Sequence, residues 1–137
     1  MELIDAMSVS ASGMKAQGVR MRVIAENLAN SETLATTAGG DPYRRKTVSF
    51  ANQLDRTSGV DKVGVKQIKL DQTGFRIKYD PSNPAADAKG YVKLPNVNSL
   101  IETMDMREAQ RSYEANLGSI EISRSMMMRS IDLIRSR

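Results

Sequence analysis

Apolar residues recur along the first thirty positions with a strict rhythm. Ile4, Met7, Ala11, Met14, Gly18, Met21, Ala25 and Leu28 follow one another at alternating spacings of three and four, the signature of a heptad seam on one α-helix. A helix over residues 1–30 would be roughly 43 Å long at about 1.5 Å per residue. A second stripe runs through Met106, Tyr113, Ile120, Met127 and Ile134, one every seven residues, with Leu117 and Ile131 four positions after Tyr113 and Met127. It predicts a second helix over 99–137, of roughly 55 Å. Ser99 and Glu102 have the spacing of a capping box just after Pro95 and Asn96, which places its start.

Between these stripes the period shortens. Tyr43 to Phe50 reads as a strand, as do Val63, Val65, Ile68 and Leu70, and Phe75, Ile77 and Tyr79 alternate cleanly. The turn Asp71-Gln72-Thr73-Gly74 is expected to join the last two as a hairpin, and Gly90 to Leu94 offers a further short strand. All four prolines and six of the nine glycines fall between Ser31 and Asn98. The expected fold is therefore mainly α with a small β insert: an N-terminal helix over 1–30, a β-containing insert over 31–98 and a C-terminal helix over 99–137. The best cover for the long second stripe within the chain is the first helix, so the two are expected to form a coiled-coil hairpin. Such a hairpin covers one side of each helix. Ile122, Met126, Met128 and Leu133 widen the apolar surface of the last turns beyond a two-helix seam, so further helices must come from other subunits.

Composition agrees with helices that face helices. Aromatic residues make up only 4% of the 137, while methionine, which adapts to irregular partner surfaces, occurs nine times. Cysteine and histidine are both absent. That removes disulfides, thiolate metal sites, thiol nucleophiles and the commonest general base and metal ligand together. Residues 1–30 carry three acidic and three basic side chains and residues 99–137 six of each, so the whole net charge of +4 lies in the insert, with seven acids and eleven bases. No apolar run reaches the roughly 20 residues of a membrane span, and Glu2 and Asp5 stand where a secretion signal wants a basic flank.

Each candidate for chemistry has a plainer explanation. Arg44-Arg45-Lys46 could neutralise phosphates, but it has one aromatic neighbour, Tyr43, and charge-balanced flanks, so no nucleic-acid partner is expected. Asp71, Asp80 and Asp87 lack calcium-loop spacing, and Asp80-Pro81 and Asn83-Pro84 are turn starters. Ser8, Ser10 and Ser12 near Lys15 lack the third partner of a serine–lysine nucleophile. No catalytic residue, metal site or cofactor is expected. Asn27 and Asn30 flank the end of the first helix; Asn30 suits a left-handed cap, and Asn27 can bond the backbone of a neighbour.

Ser10-Ala11-Ser12-Gly13-Met14-Lys15-Ala16-Gln17, then Ile24-Ala25-Glu26-Asn27-Leu28-Ala29-Asn30 and Thr33, resemble the amino-terminal motif of flagellar rod, hook and related axial proteins. Tyr43-Arg44-Arg45-Lys46, Asp80 to Asp87 and Gly90 to Asn98 narrow the resemblance to the proximal rod members. The runs Glu102 to Met106 and Arg111 to Asn116 extend it over nearly the whole chain; Asp55 to Lys62 carries no marker. The resemblance implies a structural subunit of the basal-body rod, working in motility. It would be exported unfolded from the cytoplasm by the flagellar type III apparatus without signal cleavage and assembled in the periplasm. Its partners would be other rod proteins and copies of itself, with no membrane insertion. The expected assembly interface comprises the two seams together with Asn27, Asn30 and Asn116. The alternative reading is a stand-alone coiled-coil adaptor that docks a basic insert onto an acidic partner.

Overall fold

In a computed structural model, residues 3–135 are described; Met1, Glu2, Ser136 and Arg137 of the two expected terminal segments lie outside that range. Helix α1 spans Leu3–Ala29 and helix α2 Ser99–Arg135, with strands β1 (Lys46–Asp55), β2 (Val60–Leu70), β3 (Arg76–Tyr79) and β4 (Tyr91–Leu94) between them. The secondary structure is thus two helices around a small β region. The strands pair differently from expectation. β1 pairs with β2 and β3 with β4, in two separate two-stranded sheets, so Asp71–Gly74 links the sheets rather than closing a hairpin. The reason lies in the backbone acceptors of that turn: Asp71 and Thr73 carbonyls are taken by Arg44 and Asn96 side chains at 3.0–3.2 Å, which fixes it as a docking point.

The start of α2 is also capped differently. Asn98 Oδ1 accepts from the N–H groups of Leu100 and Ile101 at 3.1 and 3.4 Å, which makes Asn98 the N-cap and releases Glu102 for another role. At the end of α1, Asn30 donates from its side chain to the Glu26 carbonyl at 2.9 Å and accepts from Thr33 Oγ1 at 3.1 Å. It caps with its amide and not with a left-handed backbone, because positive φ among the described residues is confined to Gly39, Gly59 and Gly90.

The chain forms two compact units. Unit 1 comprises Met1–Met21, Ser49–Gln67 and Arg107–Arg137. Here Gly13 lies against Asn116, since a Cβ at Gly13 would come within 2.8 Å of Asn116 Nδ2, and Arg20 reaches Glu108 at 3.4 Å. Rising numbers on α1 meet falling numbers on α2. Ser12 Oγ accepts from the Val63 N–H at 3.2 Å, joining α1 to β2, and Lys62 pairs with Asp55 at 2.5 Å across the β1–β2 turn. Buried apolar residues of this unit are small, Ala16 at 3% and Ala109 at 0% exposure.

Unit 2 comprises Arg22–Val48 and Ile68–Met106. It has a fuller core: Val23, Ile24, Ala85, Val92, Pro95 and Val97 are buried. β3 and β4 run antiparallel with Tyr79 opposite Tyr91 and Lys78 opposite Val92. Side chains alternate across such a ladder, so Val92 points into the core at 2% exposure while Ile77, Tyr79 and Tyr91 stay on the solvent side. Tyr79 and Tyr91 meet edge to face, with ring centroids 5.2 Å apart. Gly90 turns into β4 with φ of 83° and a Tyr79 ring carbon 3.0 Å from where a Cβ would sit. Both the dihedral and the space require glycine there.

Candidate assembly site

The most ordered chemistry of the molecule lies in unit 2, where the basic run of the sequence is consumed side chain by side chain. Tyr43 and Lys46 reach α1, Arg44 the Asp71–Phe75 segment and Arg45 α2. Arg45 donates from Nε to Glu102 Oε1 at 2.5 Å, and its terminal nitrogens lie 3.4 Å from Asp71 Oδ2 and 3.6 Å from Asp105 Oδ2. Burial works against the charge on Arg45, but the hydrogen bond and charge of Glu102, followed by those of Asp71, outweigh it and hold its pKa above the usual value. Glu102 is 1% exposed, so its carboxylate depends on Arg45 and on Asn27. Lys46 pairs with Glu26 at 2.9 Å, lowering the Glu26 pKa and raising its own. Arg44 stacks over Phe75, 4.2 Å from the ring centroid.

Asn27 completes this arrangement. Its Nδ2 donates to the Lys46 carbonyl at 2.8 Å and to Glu102 Oε2 at 3.0 Å, and its Oδ1 accepts from the Lys46 N–H and the Tyr43 hydroxyl, each at 2.9 Å. All four hydrogen-bonding positions of the amide are filled. By bonding both backbone groups of Lys46, the amide imitates one residue of a neighbouring strand at the point where β1 begins. One residue earlier Asn96 accepts from the Arg45 N–H at 2.8 Å, while the Arg45 carbonyl accepts from the Asp71 N–H at 2.8 Å. The reading of Asn27 as a residue that bonds a neighbour's backbone is met inside its own chain.

The helix faces tell a second story. On α1, Gly13, Arg20 and Asn27 meet residues of α2, and Ala16 and Val23 on the same side of the helix are buried. The row Ile4, Met7, Ala11, Met14, Gly18, Met21, Ala25, Leu28 lies about 160° round the helix from them. Of that row Ile4, Ala11 and Ala25 are exposed, and Met7, Met14, Gly18, Met21 and Leu28 are half-buried. On α2 Glu102, Met106, Ala109, Tyr113, Asn116, Ile120, Ser123 and Met127 are covered, again spaced by fours and threes, with Asp105, Ser112 and Gly118 also half-buried, whereas Leu117, Ile131 and Ile134 are exposed. Asn30 is half-buried in its cap. Stepping residue by residue from Gly13 opposite Asn116 brings Leu3, the first described residue of α1, level with Met126. All eight residues from Met128 to Arg135 are exposed.

These features have known counterparts. A family profile described as flagella basal body rod protein matches residues 7–33, and one described as flagellar basal body rod FlgEFG protein C-terminal matches residues 88–133. The flagellar basal-body rod protein FlgC of Agrobacterium fabrum is 50% identical over 134 residues, covering 98% of this chain and 96% of the relative. The FlgC proteins of Aquifex aeolicus and Salmonella typhimurium are 40% and 38% identical, each alignment spanning at least 96% of both partners. The chain belongs to the FlgC family. Members of that family are structural rod proteins, not enzymes, and their place is the flagellar basal body, which decides against the stand-alone adaptor. For a FlgC-family chain the polar residues gathered on Glu102 are architecture rather than an active site. Sequence reasoning missed Glu102, Arg45, Ala16 and Ala109 as packing residues. A signal was present: Glu102, Ala109, Asn116 and Ser123 recur every seven residues, but none is a large apolar residue, so a search for hydrophobic periodicity passes over them.

Proposed function

We propose that this FlgC-family chain builds the proximal rod by using its two helices twice. Their small and polar faces, lined by Gly13, Ala16, Asn27, Glu102, Ala109 and Asn116, pair within the chain as an antiparallel coiled-coil hairpin. The opposite faces, Ile4 to Leu28 on α1 and Met104, Ala115, Gly118, Ile122 and Met126 on α2, pack against other rod proteins and further copies. The observation that carries this reading is that Ile4 on α1, Met104, Ile122 and Met126 on the outer face of α2, and Ile131 and Ile134 on its last turns are all between 42% and 76% exposed, more large apolar surface than a self-sufficient monomer leaves in water. Heptad packing between stiff helices suits a drive shaft that transmits torque, with charges on the helix flanks setting register. The proposal includes export by the flagellar type III apparatus in an unfolded state and assembly in the periplasm without membrane insertion. Among the described residues no helix is long and apolar enough to cross a membrane.

Amide hydrogen exchange tests this. In the isolated chain, residues 128–135 should exchange fast, near the intrinsic rate, and become protected when the chain is incorporated into rod particles. Equal protection of this segment in the dilute monomer and in the particle would sink the proposal.

A further inference from the structure

We infer that Asn27, Arg45 and Glu102 act together as a register lock, making the pairing of α1 with α2 conditional on the strand at Tyr43–Lys46 having entered between them. Heptad faces are degenerate: a slip of seven residues brings another position of the same face opposite each residue. The lock removes that degeneracy because it joins three segments far apart in the chain. Glu102, buried to 1%, has its two oxygens filled by groups from two different elements, Arg45 Nε and Asn27 Nδ2. Asn27 in turn takes both backbone groups of Lys46. A slip of seven residues would set Glu102 opposite Arg20 or beyond the end of α1, separating it from Asn27. The amide that fills one carboxylate oxygen at 3.0 Å and the hydrogen-bond set closed around it would then be lost together; breaking up a buried, paired carboxylate in this way is disfavoured. Asp71 and Asp105 steady the guanidinium from its other side.

The inference goes beyond rod assembly and is tested on the full chain alone. The sequence has no cysteine, so spin labels can be placed at the exposed Arg22 and Thr103 through Arg22→Cys and Thr103→Cys, and their separation read by electron–electron resonance. One narrow distance is expected with the lock intact. In the apolar replacement Asn27→Leu, Arg45→Met, Glu102→Leu, helix content should persist while the distribution splits, with a second population displaced by about 10 Å, the rise of one heptad. A single narrow distance at the original value in that variant would overturn the inference. If the triple variant does not fold, Asn27→Ala and Glu102→Gln are measured singly and together. A coupling of roughly threefold or more in the unfolding equilibrium supports the lock, and additive effects overturn it.

Discussion

At its start α2 carries a glutamate that is 1% exposed, and at its end an isoleucine, Ile134, that is 76% exposed. One helix thus buries a charge and leaves a hydrocarbon in water, the reverse of the ordinary arrangement. Around Glu102 every polar group has its partner within the chain: Arg45, Asn27, Asp71 and Lys46 form a closed set. Around Ile134 the neighbouring helix has already ended. The polar end is closed within the chain, and the apolar end is the surface proposed to meet a neighbour. Cores of the two units differ in the same sense. Unit 2 buries Val23, Ile24, Val92 and Val97, whereas unit 1 buries the side chains of two alanines, Ala16 and Ala109.

The sharpest way to break this contrast is to remove the cation at the polar end. Arg45→Met leaves Glu102 buried beside Asp71 and Asp105 with no opposite charge, and it should lower stability by about 3–5 kcal/mol, read as a shift in the urea midpoint. Arg45→Lys should recover little, since one ammonium cannot meet the three carboxylates that the guanidinium reaches through separate nitrogens. A loss below about 1 kcal/mol for the methionine variant would show that Glu102 finds water or another partner, and the idea of a closed polar end would go with it.

Acid should act on Asp71 and Glu26 at this polar end and on Asp87 and Asp55 elsewhere, more weakly because these carboxylates are solvent-screened. The Thr73 N–H and, beyond it, Arg45 hold the Asp71 pKa below the usual carboxylate value, the Tyr91 N–H does so for Asp87, and Lys46 for Glu26. Lys62, with the Thr57 N–H, brings Asp55 to about 2. A carboxyl whose pKa is lowered on folding contributes stability above its unfolded value and gives it up as the pH falls through the folded one. The urea midpoint should therefore be flat between about pH 7 and 5 and decline below about 4, with the Asp55 contribution lost last, near its value of about 2. A midpoint that rises on acidification would reverse the sign and remove these carboxylates as the cause.

The expected hairpin turn and capping box failed for one reason: local pattern cannot see a side chain that arrives from elsewhere. Glu102 stands three residues after Ser99, and nothing nearby says that Arg45 claims it. Asp71–Gly74 has turn composition, and nothing nearby says that Arg44 and Asn96 bind its carbonyls. Helix existence and extent were readable, because heptad repeats over 27 and 37 residues outlast local ambiguity. Which face meets which helix was less so. On α1 the apolar row that periodicity selects is the one turned away from α2, since the inner face is built of Gly13, Ala16 and Asn27, residues that allow close approach and carry little hydropathy.

Gly13 sharpens that point. Alanine there gains about 1 kcal/mol of helix propensity, but its Cβ would lie 2.8 Å from Asn116 Nδ2, which must then leave its 2.9 Å bond to the Ser112 carbonyl. The two effects nearly cancel, and Gly13→Ala should change stability by about 1 kcal/mol or less, with loss the expected sign. In an Asn116→Ala background the obstruction is gone and the same substitution should stabilise. An unchanged sign in the two backgrounds would mean that the helices do not approach closely at this position.

Smallest of all on the isolated chain should be the exposed end. Ile131→Ser and Ile134→Ser remove side chains that are 42% and 76% exposed, and such surface changes stay within about 0.5 kcal/mol. Their effect should appear only when a neighbour is present: the double variant should keep the urea midpoint and helix content of the parent yet fail to enter rod particles, read by co-sedimentation and by swimming of cells carrying it. A matched pair at exposed polar positions, Ser125→Ala and Ser130→Ala, should enter normally. If the isoleucine variant assembles as well as the serine control, the apolar end is surface and not interface; if instead it unfolds in isolation, the end is completed within the chain and the contrast between the two ends of α2 collapses.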